Sequence, residues 1–234
     1  MEIKETFNLD QELKAVTFDN EHHAAPVRFY LPFEREKLYK LLGARYKSEV
    51  LTRVPADKYR NLDEEMQRNI MDAATWLCDP NKRPGLLLYG NLGTGKTTLL
   101  KAMAKVINAC CERERDGNNK PKATLEEWKV VSVIKAKTVI AESTDPKGRY
   151  NIMTSTAILA IDELGVEPTE TKLYGNATEP LIDLLCERYD RQLCTIISTN
   201  MGASEIAERY GRRVSDRFNE MFATIPFTSN SFRQ

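Results

Sequence analysis

The stretch "GLLLYGNLGTGKTTLL", residues 85–100, constrains this chain more than any other part of it. Gly90, Gly95, Lys96 and Thr97 fall in the spacing G-x-x-x-x-G-K-T, with an additional glycine at position 93. Leu86-Leu87-Leu88-Tyr89 lead in as a short apolar run of the kind a buried strand makes. Leu99, Leu100, Met103, Val106, Ile107 and Cys110 then recur at three- and four-residue steps, as on an amphipathic helix. Strand, glycine loop and helix together suit a phosphate chain. Glycines let backbone N–H groups turn inward, and the helix N-terminus adds partial positive charge. Gly90, Asn91, Leu92, Gly93, Thr94, Gly95, Lys96, Thr97 and Thr98 are therefore expected to form a phosphate-binding P-loop. Lys96 would reach the β- and γ-phosphates, and the Thr97 hydroxyl would ligate Mg²⁺.

A P-loop needs a second magnesium ligand from a neighbouring strand. "TAILAIDELG", residues 156–165, offers Ile158-Leu159-Ala160-Ile161 followed by Asp162 and Glu163. A carboxylate at the C-terminal edge of a buried strand lies where open α/β sheets bind ligands. Asp162 is the candidate metal ligand, and Glu163 the candidate base for an attacking water. A third apolar run, "LCTIISTN" (193–200), ends in Ser198-Thr199-Asn200. Asn200 suits a γ-phosphate contact, and equally a plain turn cap. Near the C-terminus "YGRRVSDRFNEMF" (210–222) sets Arg213 and Arg217 four residues apart, on one side of a helix. Taken alone, the pair is a solvated basic face with Asp216 as a local partner.

Charge and cysteine usage exclude other classes. Lys+Arg and Asp+Glu both number 34, so no global field advertises nucleic acid, although a local DNA surface stays open. The five cysteines (Cys78, Cys110, Cys111, Cys186 and Cys194) form no C-x-x-C, and His22 and His23 stand apart from them. That spacing builds neither a zinc site nor a disulfide framework. No apolar run approaches a membrane span, and "MEIKETFNLD" has no signal core. A cytoplasmic protein with reduced thiols is expected, with no membrane partner.

With these motifs in order, the chain resembles the AAA+ ATPases, and within them the DnaC-type helicase loaders and IstB-type transposition helpers. The resemblance spans about residues 58–234. It runs from "KYRNLDEEMQRNIMDAATWLCDP" through "GNLGTGKTT", "LAIDELG", "YGNATEPLIDLLCERYDRQLCTIISTN" and "YGRRVSDRF" to "IPFTSNSFR". It implies that Gly90 to Thr97 are Walker A, Asp162-Glu163 Walker B and Asn200 sensor 1. It places Arg217 as an arginine finger reaching a neighbouring subunit's nucleotide, with Arg213 assisting and Arg212 as fallback. Arg233 matches the arginine of the family's terminal S-[FY]-R, a second nucleotide contact. The implied function is ATP binding and Mg²⁺-dependent hydrolysis in a self-associating protein on single-stranded or duplex DNA, which loads or regulates a replicative helicase. Two alternatives stand beside it: a helper that positions a transposase, and a nucleotide-gated interaction module with negligible turnover.

The expected fold is a three-layer α/β P-loop domain over residues 58–234. Its parallel five-stranded sheet has strands near 85–89, 130–134, 157–161, 193–198 and 223–226. After "FATIPF" no helical lid is expected. Met66, Ile70, Ala74 and Leu77 predict a helix ahead of the first strand. Residues 1–57 are expected to be a mostly helical partner-docking segment. Within it, "FEREKLYKLLGARYKSEVL" (33–51) carries Leu38, Leu42, Tyr46 and Val50 at four-residue steps. Packing of that helix on the ATPase core is the competing reading.

Overall fold

The computed structural model describes residue 14 and residues 28–59, 61–113, 130–143, 148–168, 171–173 and 176–229. The strands in chain order are β1 (Gly85–Gly90), β2 (Val130–Lys135), β3 (Ile158–Leu164), β4 (Thr171–Leu173), β5 (Asn176–Thr178), β6 (Cys194–Thr199) and β7 (Phe222–Phe227). β4 and β5 pair only with each other, as an antiparallel hairpin that the sequence reading did not foresee. The other five form one parallel sheet in the order β2-β3-β6-β1-β7. All five expected strands are present, and β3 runs three residues further than expected, to Leu164.

The helices are α1 (Arg35–Leu51), α2 (Glu64–Cys78), α3 (Lys96–Arg113), α4 (Ala136–Glu142), α5 (Arg149–Ser155), α6 (Pro180–Asp190), α7 (Ala203–Tyr210) and α8 (Arg212–Met221). They cover both faces of the sheet. Leu86, Leu88, Ile158, Ala160, Cys194, Ile196, Ile225 and Phe227 face a core shared with α1, α2 and α3. Leu87, Leu159, Ile161, Ile197 and Phe222 face a second core shared with α4 to α8. Successive strand residues alternate between the faces, so a sheet buried on both sides is written in continuous apolar runs. Each fully buried leucine, such as Leu99 or Leu100 on α3, contributes roughly 2 kcal/mol.

Local chemistry sets the helix starts. Asp63 caps α2 by accepting the Met66 N–H at 2.7 Å, with Glu64 and Glu65 in the first turn where the helix dipole favours anions. Pro180 opens α6, where its missing N–H costs no hydrogen bond. Arg188 on α6 is fully buried and satisfied by oxygen atoms alone. It donates to Thr195 Oγ1 (2.9 Å) and to the carbonyls of Met153 (2.8 Å), Thr156 (2.8 Å) and Cys194 (2.6 Å). It thereby ties α5, α6 and β6 together, and burial pushes its pKa down to about 10.

α1 belongs to the same core as the P-loop helix. Leu38, Leu42 and Tyr46 are buried among residues of α2 and α3, and Glu49 pairs with Lys105 of α3. The helix at Arg35–Leu51 thus packs on the ATPase core, as the competing reading of that segment has it. None of the described helices is long and apolar enough to cross a membrane.

Candidate functional site

The chain leaves β1, crosses past β6 and β3 to reach β2, then fills back inward through β3 and β6. The C-terminal ends of β1, β3 and β6 thus lie side by side, at the edge where parallel α/β sheets gather ligands. The loop from Gly90 to Gly95 occupies that edge and leads into α3.

Gly90 has φ 128°, and a Cβ there would overlap the Phe227 carbonyl oxygen of β7. Asn91 N–H donates to the same oxygen at 3.1 Å, which fixes the loop to the sheet. Gly95 has φ 98°, and a Cβ there would meet the Tyr46 hydroxyl and, at 2.8 Å, Met66 Cε. The loop needs glycine at both places for backbone reasons and for space. Thr94 Oγ1 donates to the Asn91 carbonyl at 2.8 Å, and Leu92 is exposed at the tip. The Lys96 ammonium spans the loop, donating to the carbonyls of Gly90 (2.7 Å) and Asn91 (2.5 Å). These two hydrogen bonds hold the ammonium against the loop backbone.

At the start of α3, Thr97 Oγ1 donates to Asp162 Oδ1 at 2.9 Å. Ser198 Oγ donates to the same carboxylate oxygen and accepts the Glu163 N–H at 3.1 Å. One serine therefore holds both halves of the Asp162-Glu163 pair. β3 carries an extra residue against β6 at this point, since Ile161 pairs with Ile197 but Leu164 with Thr199. Glu163 takes up the bulge with φ 61°, a left-handed conformation that costs a non-glycine residue ~1 kcal/mol or more. Bulges of this kind re-aim side chains beside active sites. The Glu163 carboxylate accepts from Lys135 Nζ at 2.8 Å, and this bond raises the lysine's pKa above its ordinary value. Thr97 and Asp162 present hydroxyl and carboxylate oxygens, the hard donor set that suits Mg²⁺.

The structure brings together the residues from Gly90 to Thr98 with Asp162 and Glu163. Asn200 lies exposed just past β6, and Ser198, two residues earlier, makes the contact with Asp162. Arg217 is on the opposite side of the sheet from α3. It lies 3.6 Å from Asp190 Oδ1 and stacks over the Tyr189 ring at 5.1 Å, while Arg212 and Arg213 are exposed. Within one chain, then, no arginine of α8 joins the P-loop. Arg233 lies outside the described residues. Sequence reasoning missed Ser198, Lys135 and Arg53, whose Nη2 donates to Thr98 Oγ1 at 2.8 Å. Ser198 stood inside the polar trio already noted, but alternation from Ile196 puts Ser198 and Asn200 on one face, so the pattern alone did not choose between them.

The apparatus at this sheet edge is that of a P-loop nucleotide-binding protein. The profile of the ATPase family associated with various cellular activities (AAA) matches residues 86–224, more than half of the sequence. The chain belongs to that family, and membership suggests nucleotide hydrolysis. Among solved structures it is similar to the DnaC helicase loader, with 18% identity and a TM-score of 0.50 over 73% of this chain and 94% of that one. It is similar to DnaI at 19% identity and a TM-score of 0.50, over 76% of this chain and 93% of that one. At these identities the likeness establishes a shared fold.

Proposed function

We propose that this protein binds and hydrolyses ATP with Mg²⁺, assembles with copies of itself on DNA, and loads or regulates a replicative helicase. The observation that carries the reading is the Thr97–Asp162–Ser198 bridge at the mouth of the glycine loop, with Glu163 displaced by a bulge one residue on. Loop N–H groups and Lys96 would hold the phosphates, and Thr97 and Asp162 would hold the metal. Mg²⁺, when bound, supplies charge that offsets the negative charge developing on the transferring phosphoryl group. Glu163 would orient the attacking water and accept its proton once released from Lys135. Arg217 of one copy would complete the site of the next, exchanging its contacts with Asp190 and Tyr189 for the transferring phosphate. Asn200 and Arg233 would be further nucleotide contacts. The helicase as partner is drawn from the DnaC helicase loader, whose fold this chain shares. A transposase would be served by the same chemistry.

One observation favours the alternative of a nucleotide-gated module with little turnover: the candidate base is already engaged by an ammonium. Steady-state ATPase rate per subunit against protein concentration separates the two, measured for wild type, Arg217→Ala and Asp190→Ala, with and without single-stranded DNA. The ATPase reading expects a specific rate that climbs with concentration and with DNA. It expects a flat response from Arg217→Ala and wild-type behaviour from Asp190→Ala, which removes the local partner alone. A rate independent of concentration, with Arg217→Ala silent, would overturn assembly through Arg217. No turnover at any concentration would favour the gated module.

A further inference from the structure

A buried carboxylate sits in the turn after β3. Glu167 is 2% exposed. A carboxylate is costly to bury unless hydrogen bonds and charge meet its oxygens, and here both are met. Oε2 accepts the Gly165 N–H at 2.8 Å, Oε1 accepts the Tyr210 hydroxyl, and Arg209 Nη2 lies 3.7 Å from Oε1. The same Arg209 nitrogen donates to the Glu167 carbonyl. Glu167 thus joins its turn to the last two residues of α7, through side chain and backbone alike.

Each end of that tie leads to a group with a proposed catalytic role. At one end, Glu163 holds φ 61°, a conformation that persists only where its surroundings over-determine it. Thr199 Oγ1 donates to the Leu164 carbonyl (2.7 Å), and Val166 N–H donates to the Glu163 carbonyl (3.4 Å). The Val166 side chain is exposed, so hydrogen bonds rather than apolar packing hold the tip of the turn. The bonds of Glu167 carry the turn beyond the sheet, to α7. At the other end, Tyr210 is buried with Ile206, Val214 and Phe218 in one core, which packs α7 and α8 together. α8 begins at Arg212 and carries Arg217. Stability alone does not call for a carboxylate here, because apolar side chains of similar volume often replace buried ion pairs without loss. We propose that Glu167 is a positioning residue that aligns two groups at once: Glu163 for the site of its own chain, and Arg217 for the site of the next copy. The proposal rests on the roles given above to Glu163 and Arg217 and adds the tie between them.

Steady-state ATPase with saturating Mg·ATP, at concentrations where copies assemble, would be measured for wild type, Glu167→Gln, Tyr210→Phe, Glu163→Gln and Arg217→Ala. The variants would be assayed alone and in equimolar pairs. Glu167→Gln leaves one acceptor oxygen where two stood, and Tyr210→Phe removes one hydroxyl from a ring that stays buried. Both should lower kcat, Glu167→Gln by ~10–100-fold, while Mg·ATP affinity and the assembled mass match wild type. A residue that only supports the fold would lower the urea midpoint and leave the rate per assembled subunit unchanged. That result overturns the proposal, as does a loss of affinity in place of kcat. Glu163→Gln mixed with Arg217→Ala should regain activity, because one copy supplies Arg217 and the other Glu163. If that pair stays inactive, the Arg217 reading itself fails and the tie with it. Glu167→Gln should regain activity with neither. Recovery with Arg217→Ala would show a well-placed Arg217, and recovery with Glu163→Gln a well-placed Glu163; either overturns the double role. If Glu167→Gln does not assemble, Tyr210→Phe decides the matter in the same pairs.

Discussion

Replacing Ser198 with alanine tests whether one hydroxyl organises the centre of the site. Ser198 is 2% exposed, donates to Asp162 Oδ1 and accepts the Glu163 N–H. The substitution removes a hydrogen bond to a buried carboxylate, ~1.5–3 kcal/mol, and leaves a buried N–H without an acceptor, ~1–3 kcal/mol. Thr97 continues to serve Asp162, so the net cost to folding is expected at ~2–4 kcal/mol. With a urea m-value on the order of 2 kcal/mol/M, the unfolding midpoint should fall by about 1–2 M. The same change should raise the Mg²⁺ concentration needed for nucleotide binding, because Asp162 loses part of its support. In an Asp162→Asn background the serine has no charge to serve, and its removal should cost ~1–2 kcal/mol less. Asn200→Ala, at an exposed position two residues on, should change stability by less than ~0.5 kcal/mol. A Ser198→Ala protein that unfolds with wild type, or costs that add without coupling, would refute the bridge.

Lys135→Ala should raise the basal ATPase rate severalfold, because it frees the Glu163 carboxylate, the proposed base, from the ammonium at 2.8 Å; an unchanged rate would show that the pair does not restrain Glu163. Glu167 is buried and accepts from Gly165 N–H (2.8 Å) and from the Tyr210 hydroxyl, tying the turn after Glu163 to α7. Glu167→Gln should cost ~1–3 kcal/mol in urea unfolding, since an amide offers one acceptor where the carboxylate offers two; a wild-type midpoint would contradict this. Burial pushes the pKa of Lys82 down from 10.5 to about 8. Between those values the unfolded chain holds a proton that the folded chain has lost, so folding stability should rise with pH across that window. The rise is at most ~3 kcal/mol, reduced by the contact of the ammonium with the Trp76 ring at 3.9 Å. Urea unfolding at pH 7.5 and 9.5 should show it in wild type and not in Lys82→Met; parallel behaviour of the two proteins would exclude Lys82 as the source.

What the sequence made legible follows the physics of each element. The P-loop and α3 were readable because glycine spacing and a helical stripe are local patterns, and every stripe residue from Leu99 to Cys110 is buried. The sheet was readable because strands covered on both faces are uninterrupted apolar runs. The bulge at Glu163 was hidden, since an extra residue in β3 leaves no trace in composition. Ser198 and Asn200 could not be ranked without knowing where β6 ends. Arg53 meets Thr98 across 45 residues of chain, a contact that no local pattern encodes. α1 shows the drift of a strict four-residue step around a 3.6-residue turn. Leu38, Leu42 and Tyr46 are buried, but at the fourth step the buried position is Glu49 and Val50 is only half-buried. The β4–β5 hairpin has three-residue strands without apolar alternation, too short for a pattern to form.

The central claim is that nucleotide at the P-loop controls assembly between copies, and mass in solution tests it most directly. Glu163→Gln keeps the loop, Thr97 and Asp162 and removes the carboxylate proposed as the base, so Mg·ATP should remain bound. Mass photometry or sedimentation of this variant should show an oligomer with Mg·ATP and smaller species with Mg·ADP, and the oligomer should be lost when Arg217→Ala is added. The same mass distribution in both nucleotides, whether monomer or oligomer, would contradict the account.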